Sequence, residues 1–181
     1  RYANAVGGDL NVIKMGMAML STVRGYPQFY YGDEILIEGG QGAYEDARRC
    51  FPGGWAHHEV NAFDSKQRTK EQNEVYNYLR SLLQFRKTSE ALCYGKMTHF
   101  LPHDGIYCFF RHTENQTVMV VVNSNEKAKK LNLERFNEMD IVGRQARNVA
   151  TGRMVKVLKT IRNARIPESN LNFFIFSSFP N

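Results

Sequence analysis

The chain has 181 residues, 43% hydrophobic and 23% charged, with a formal net charge of +6. That balance supports a buried core and excludes disorder, collagen and coiled coil, and no run approaches the roughly 18 uninterrupted apolar residues of a membrane span. Residues 1–93 carry 11 basic and 11 acidic side chains and residues 94–181 carry 13 and 7, so the whole surplus is C-terminal.

Asn11 to Arg24 places Ile13, Met17, Leu20 and Val23 at helical spacing, and Gly25 follows as a stop, so a first helix is expected there. Pro27 to Gly32 (PQFYYG) is short, aromatic and bounded by turn residues, the pattern of a strand buried on both faces with Phe29, Tyr30 and Tyr31 in the core. Glu38 to Lys66 shows no period and reads as a long loop, a length at which ordered loops are commonly functional. Thr69 and Gln72 have capping-box spacing, and Val75, Leu79, Leu82, Leu83 and Arg86 trace one face of a second helix ending near Ala91. Near Cys93–Gly95 the period changes to two. Strands are expected at Lys96–Phe100, Ile106–Arg111, Val118–Asn123, Gln145–Val149, Met154–Leu158 and Leu171–Phe176, with turns at His103-Asp104-Gly105 and Thr151-Gly152 and a helical turn at Leu133–Met139. Val118, Val120 and Val122 fall on one face of their strand and Met119 and Val121 on the other, while Phe173 to Phe176 are apolar on both. The middle strands therefore need cover twice, which a small two-sheet sandwich supplies.

Asp33 and Glu34 are adjacent carboxylates, and glycoside hydrolysis uses a carboxylate pair as acid and nucleophile. Neighbours on a strand point to opposite faces, so at most one of them faces a given pocket; the two cannot stand about 5 to 5.5 Å apart in a retaining site. His57, His58 and Glu59 lack the four-residue spacing of helical metal ligands, and His99 and His103 fall on strand and turn, so no metal site is expected. Cys50, Cys93 and Cys108 are odd in number and form no C-x-x-C pair, which makes them free thiols. Phosphate-loop and nucleophile-elbow motifs are missing. The most informative stretch is Arg48-Arg49-Cys50-Phe51-Pro52-Gly53-Gly54-Trp55. An arginine pair beside Phe51 and the only Trp, held by Pro and Gly, offers a flat apolar face for a pyranose ring and charged donors for its hydroxyls. The alternative is that Trp55 plugs the underside of its own loop, and composition does not choose between them. Lys127, Lys129, Lys130, Arg144, Arg147, Lys156, Lys159, Arg162 and Arg165 are scattered in the manner of a solvated face rather than an anion-binding one.

Gly25-Tyr26-Pro27-Gln28-Phe29-Tyr30-Tyr31-Gly32-Asp33-Glu34 resembles the eighth-strand segment of the α-amylase family of glycoside hydrolases, usually G-T-P-x-x-Y-Y-G-x-E. Phe51-Pro52-Gly53-Gly54-Trp55, followed by Asn61-Ala62-Phe63, resembles the F-P-G-G-W loop of the bacterial cyclomaltodextrinase and neopullulanase branch. The resemblance implies an α+β chain. Residues 1–93 would be the last units of a (β/α)8 barrel (helix, strand, long loop, helix), and residues 94–181 an all-β C-terminal sandwich with Val120-Val121-Val122-Asn123 in its central strand. It further implies a retaining hydrolase of α-1,4 bonds in cyclodextrins, pullulan or malto-oligosaccharides. The family's three catalytic carboxylates would lie upstream, Arg1 resembling the arginine of N-H-D-x-x-R. No catalytic residue is expected in this chain, which alone is expected to be inactive; Glu34, Arg48, Phe51 and Trp55 are expected to contact substrate. Two positions depart from the pattern. Tyr26 replaces a Thr, a matter of packing, and Cys50 stands where this branch carries Asp, which removes an acceptor for sugar hydroxyls.

The same resemblance implies no cofactor in this chain, any calcium of the parent lying outside it, and α-glucan oligosaccharides as partners. Neither nucleic acid nor a membrane span is expected, and the compartment stays open between bacterial periplasm and cytoplasm. A barrel strand without neighbours exposes unpaired backbone groups, so self-association near Tyr30-Tyr31 is expected. The rival class is a non-catalytic carbohydrate-binding or structural module in residues 95–181, and the mark of carbohydrate binding would be an exposed aromatic pair on a sandwich face. A basic nucleic-acid binder is disfavoured by the lack of an RNA-binding aromatic motif.

Overall fold

The computed structural model describes residues 1–39, 42, 44–149, 152–157, 163–166 and 171–177. A single helical turn, α1 (Tyr2–Ala5), precedes α2 (Leu10–Thr22). Asp9 starts α2, its carboxylate accepting the otherwise orphaned N–H groups of Asn11 and Val12 at 2.8 and 3.2 Å. The helix stops at Val23, whose backbone is extended, two residues before Gly25. Helix α3 (Lys70–Thr88) carries the expected capping box in full: Thr69 Oγ1 accepts from the Gln72 N–H at 3.2 Å and Gln72 Oε1 from the Thr69 N–H at 3.0 Å. It does not continue to Ala91. Ser89 turns extended, and its hydroxyl caps a new short helix, α4 (Glu90–Tyr94). Ile13 and Met17 of α2 bury against Val75 and Leu79 of α3, with Ala3 beside them. No helix among the described residues is long and apolar enough to cross a membrane.

The strand expected at Pro27–Gly32 does not form. The segment has no strand pairing among the described residues and gives way at Asp33–Ile35 to one turn of 3₁₀ helix. A strand needs a neighbour for its N–H and C=O groups, and this segment packs against α2 and α3, whose backbones are already bonded within themselves. The expected burial changes with it: Phe29 reaches the α2–α3 core, but Tyr30 and Tyr31 remain 46% and 42% exposed.

The six expected strands are all present, and two more join them. In chain order they are β1 (Lys96–His103), β2 (Ile106–His112), β3 (Gln116–Asn123), β4 (Lys129–Asn132), β5 (Gln145–Asn148), β6 (Met154–Lys156), β7 (Asn163–Ile166) and β8 (Leu171–Ser177). One sheet runs β1-β2-β3-β8-β5-β6 and β4 pairs with β7; every pairing is antiparallel. Thr151, Leu158, Lys159 and Arg162, named above, lie outside the described residues. Alternation along β2 and β3 sends Cys108, Phe110, Met119 and Val121 to one face and Phe109, Val118 and Val120 to the other. The first face is covered by Leu131 of β4, the 3₁₀ segment Leu133–Met139 and Ile141. Helices cover the second face, with Ala18, Leu82, Ala91 and Leu92 in contact. The double cover required by the sequence is thus supplied by a small sheet on one side and by helices on the other. One core consequently crosses the change of period near residue 94. Gln116 Oε1 accepts the Ser89 hydroxyl at 2.7 Å and the Ala91 N–H at 2.9 Å, and Arg111 of β2 donates to the Thr22, Val23 and Gly95 carbonyls at 3.0 to 3.1 Å.

Candidate functional site

The sequence singles out Glu34, Arg48, Phe51 and Trp55, and the structure distributes them over two neighbouring features of the chain between α2 and α3. The first is the bend at Gly32. Its φ of +88° lies in the left-handed region, and a Cβ there would sit 2.4 Å from Ile37 Cδ1, so only glycine turns the chain this way. The Glu34 carboxylate folds back and accepts the Gly32 N–H at 2.7 Å, fastening the turn. In the 3₁₀ turn that follows, Asp33 and Glu34 diverge. Asp33 lines a cleft of about 270 Å³ with Tyr2, Met17, Leu20 and Phe29, whereas Glu34 lines another of about 400 Å³ with Tyr30, Tyr76 and Arg80. The two carboxylates therefore serve different clefts, as expected, although a 3₁₀ turn and not a strand separates them.

Arg1 holds this bend from the side. Its guanidinium lies 4.4 Å from the Tyr30 ring centroid and 4.6 Å from that of Tyr31, donates to the Tyr31 carbonyl, and its α-amino group donates to Gly39 O at 3.2 Å. Burial pushes the Asp33 carboxyl above its ordinary value, against the opposing pull of Arg1. Residue composition alone does not single out Asp33 over Glu34; the adjacent pair is the only signal.

The second feature is the loop from Arg48 to Phe63. Arg48 ends a 3₁₀ turn, Tyr44–Arg48, and is exposed. The Tyr31 hydroxyl donates to the Arg49 carbonyl at 3.0 Å, and Arg49 pairs with Asp46, so the aromatic bend and the loop are joined. Beyond Cys50, which is exposed and free, the loop closes on itself. The Ala62 N–H donates to Pro52 O at 3.0 Å, the Gly53 N–H to His58 Nδ1 at 2.9 Å, and the Asn61 N–H to Gln67 Oε1 at 2.7 Å. Gly53 is required here: its φ is +99° and a Cβ would lie 2.2 Å from Asn61 Oδ1. His58 is thereby a loop fastener, and no group of three His, Cys, Asp or Glu suited to a metal occurs among the described residues.

This closure leaves the rings outside. Trp55 is 62% exposed and Phe63 68%, and Phe51 packs on Phe63 with centroids 4.6 Å apart. Trp55 does not plug the underside of its loop; a self-bonded backbone presents it to solvent. Phe63 belongs to the resembling segment Asn61-Ala62-Phe63 but is not among the expected substrate contacts, and its partnership with Phe51 is what extends the apolar surface. A tilted ring pair and an exposed Trp55 on a self-bonded loop suit ligands with alternating apolar faces and hydroxyls.

Residues 97–165 match the family model described as the cyclo-malto-dextrinase C-terminal domain. A cyclomaltodextrinase of Geobacillus thermopakistaniensis is 27% identical over 154 residues, covering 84% of this chain and 23% of that enzyme. A cyclomaltodextrinase of Thermoanaerobacter pseudethanolicus is 26% identical over 128 residues, covering 70% of this chain and 20% of that one. The chain thus spans about a fifth of the length of these curated relatives. Among solved structures, an α-amylase from Geobacillus thermoleovorans complexed with acarbose superposes with a TM-score of 0.73 at 19% identity, covering 97% of this chain and 36% of that one. An Anoxybacillus α-amylase gives 0.71 at 20% identity, covering 95% and 33%. Sequence motifs, the matched domain and the cyclomaltodextrinase relatives support an α-amylase family fragment, and the superpositions show a fold shared with α-amylases.

Proposed function

We propose that this chain is the C-terminal portion of a retaining α-glucan hydrolase of the cyclomaltodextrinase and neopullulanase type, acting on α-1,4-glucosidic bonds. Residues 1–93 would complete its (β/α)8 barrel and residues 94–181 form its β-sandwich, with the Pro27–Tyr31 segment taking the eighth-strand place beside neighbours. Within it Arg48, Phe51 and Trp55 form a sugar-facing loop and Glu34 fixes the adjoining bend. The observation that carries this reading is the loop itself, fastened by its own backbone bonds yet holding Trp55 in solvent. Fixed rings lose little entropy on meeting a sugar face.

The chain alone supplies no hydrolysis on this reading. A retaining site needs two carboxyl groups about 5 to 5.5 Å apart across one bond, and Asp33 and Glu34 line separate clefts. Trp55 is the only tryptophan of the chain, so its fluorescence reports on the loop directly. Titration with maltoheptaose is expected to shift that emission saturably without release of reducing sugar. An emission indifferent to millimolar maltoheptaose, or reducing sugar released at the rate of a whole enzyme, overturns the proposal. The rival reading, a carbohydrate-binding β module, calls for an exposed aromatic pair on the sheet; among the described side chains of residues 95–157 no Phe, Tyr or Trp is exposed as those of the loop are.

A further inference from the structure

A cleft of about 820 Å³ lies where the end of α2 meets α4 and the β1–β2 edge, away from the loop discussed above. Arg24, Arg86, Lys96 and Arg111 line it together with Tyr26, Tyr94 and Cys93, and no Asp or Glu is among its described lining residues. Four cations in one cleft without a carboxylate is an unusual arrangement, because each added charge raises the electrostatic cost of the others. Arg111 makes the cost acute. It is only 2% exposed, its Nε has no partner, and its two terminal nitrogens are bonded to the neutral carbonyls of Thr22, Val23 and Gly95. Arg86 likewise donates to Ser21 O at 2.8 Å and Gly25 O at 2.7 Å.

The Ser21, Thr22 and Val23 carbonyls are the C-terminal end of α2, whose dipole contributes about half a negative charge, whereas Gly25 lies beyond that helix and Gly95 caps the short α4. Partial charges of this kind offset part of one guanidinium and leave most of the positive charge of the four side chains facing the cleft. Burial first, then the neighbouring Arg86 and Arg24, hold Arg111 below the ordinary arginine range. Arg24 and Lys96 form no ion pair among the described residues and are exposed at the mouth, Tyr26 is 99% and Tyr94 86% exposed. Arg86 and Arg111 are thus fixed by the backbone, while the other two cations are free to close on a guest.

We propose that this cleft binds a phosphate-class oxyanion, inorganic phosphate or a phosphate monoester. Arg111 and Arg86 supply the fixed positive field, Arg24 and Lys96 supply direct donors, and Tyr26 and Tyr94 flank whatever the phosphate is attached to. Arginine suits the role because its planar fork matches two phosphate oxygens and cannot lose its proton. The inference is independent of the glucan reading, since no residue of the Arg48–Phe63 loop takes part.

Inorganic phosphate, titrated calorimetrically into the chain at constant ionic strength with chloride as the balancing anion, is expected to bind at one site per chain. Arg24→Gln with Lys96→Gln, both on exposed side chains that hold nothing else together, should weaken it about tenfold or more with an unchanged melting temperature. A second readout is the thiol of Cys93, which is exposed in the cleft and donates to Arg86 O at 3.2 Å. Phosphate should slow its alkylation by iodoacetamide and leave the exposed Cys50 unaffected. Heats equal to those of chloride, affinity unchanged in the double variant, or equal slowing of both thiols overturns the proposal. So does failure of phosphate to protect Cys93 in a longer polypeptide carrying this chain, which would assign the cleft to a carboxylate of that polypeptide.

Discussion

Aromatic rings occupy two regions of this molecule under opposite terms. Phe100, Phe110 and Phe136 meet edge to face at centroid distances of 4.7 to 5.7 Å inside the β region, and the last two are wholly buried. Between α2 and α3, Trp55 and Phe63 stand largely in water and Tyr30 and Tyr31 are nearly half exposed. A strand in a sheet covered on both faces has nowhere else to send a ring, whereas a loop whose backbone bonds close among themselves can be ordered with its rings outside. Order and burial are therefore separate properties here, and the first set should govern stability while the second governs binding.

The largest effect should come from the buried set. Phe110→Ala removes a ring touching both Phe100 and Phe136 and leaves a cavity that the flanking sheet cannot close, a loss of about 3 to 5 kcal/mol measured by urea unfolding followed by circular dichroism. A loss under about 1.5 kcal/mol would mean that the face collapses readily and that the contrast between the regions is weaker than their burial implies. Trp55→Ala tests the other side. Its stability should stay within about 0.5 kcal/mol of the parent chain, while calorimetric affinity for maltoheptaose should fall about tenfold, equivalent to about 1.4 kcal/mol. Gly53→Ala sharpens the same point by leaving Trp55 intact: the strained φ and the encounter with Asn61 should open the loop and weaken binding a few-fold, the cost of lost pre-organisation.

Thr69→Ala sits between the two regions, at the residue that ends the loop segment and starts α3. Losing the hydroxyl orphans the Gln72 N–H and should cost about 1 kcal/mol in the same unfolding assay. That capping box was fully legible in the sequence, as were all six strands expected in the second half, because both signals are local: side-chain spacing and alternation. What could not be read locally is what each segment meets. PQFYYG has the composition of a buried strand, yet Tyr30 and Tyr31 find helices in place of sheet partners and stay exposed. Strands β4 and β7 pair across thirty residues of intervening chain and are only four residues each, too short to show a period. Ser89 ends α3 before Ala91 because Gln116, far along the chain, binds its hydroxyl, a contact that no window around Ser89 contains. At the candidate site, Trp55 was legible as a residue but not as exposed or plugging, since only the bonds from Gly53 to His58 and from Ala62 to Pro52 decide which way the loop closes.

The smallest effect concerns Asp33 and turns on which of two opposing influences dominates at the bend. Burial beside Tyr2, Met17 and Phe29 disfavours its charged form, Glu34 adds to that, and the Arg1 guanidinium favours it; burial prevails and the carboxyl titrates above its ordinary value of 3.8. The folded chain then holds this proton more tightly than the unfolded chain does, so the contribution of Asp33 to stability falls as pH rises from about 3.8 through the raised value and is constant beyond it. Asp33→Asn cannot ionise and removes that dependence. The difference in urea midpoint between parent and variant isolates Asp33 from every other carboxylate in the chain. It should be smallest near pH 3.5 and grow in favour of the variant toward pH 7, the opposite of what a carboxylate stabilised by its arginine would give. A difference growing in favour of the parent would show that Arg1, stacked on Tyr30 and Tyr31, outweighs burial, and that the exposed aromatic region is held together by charge as well as by its backbone.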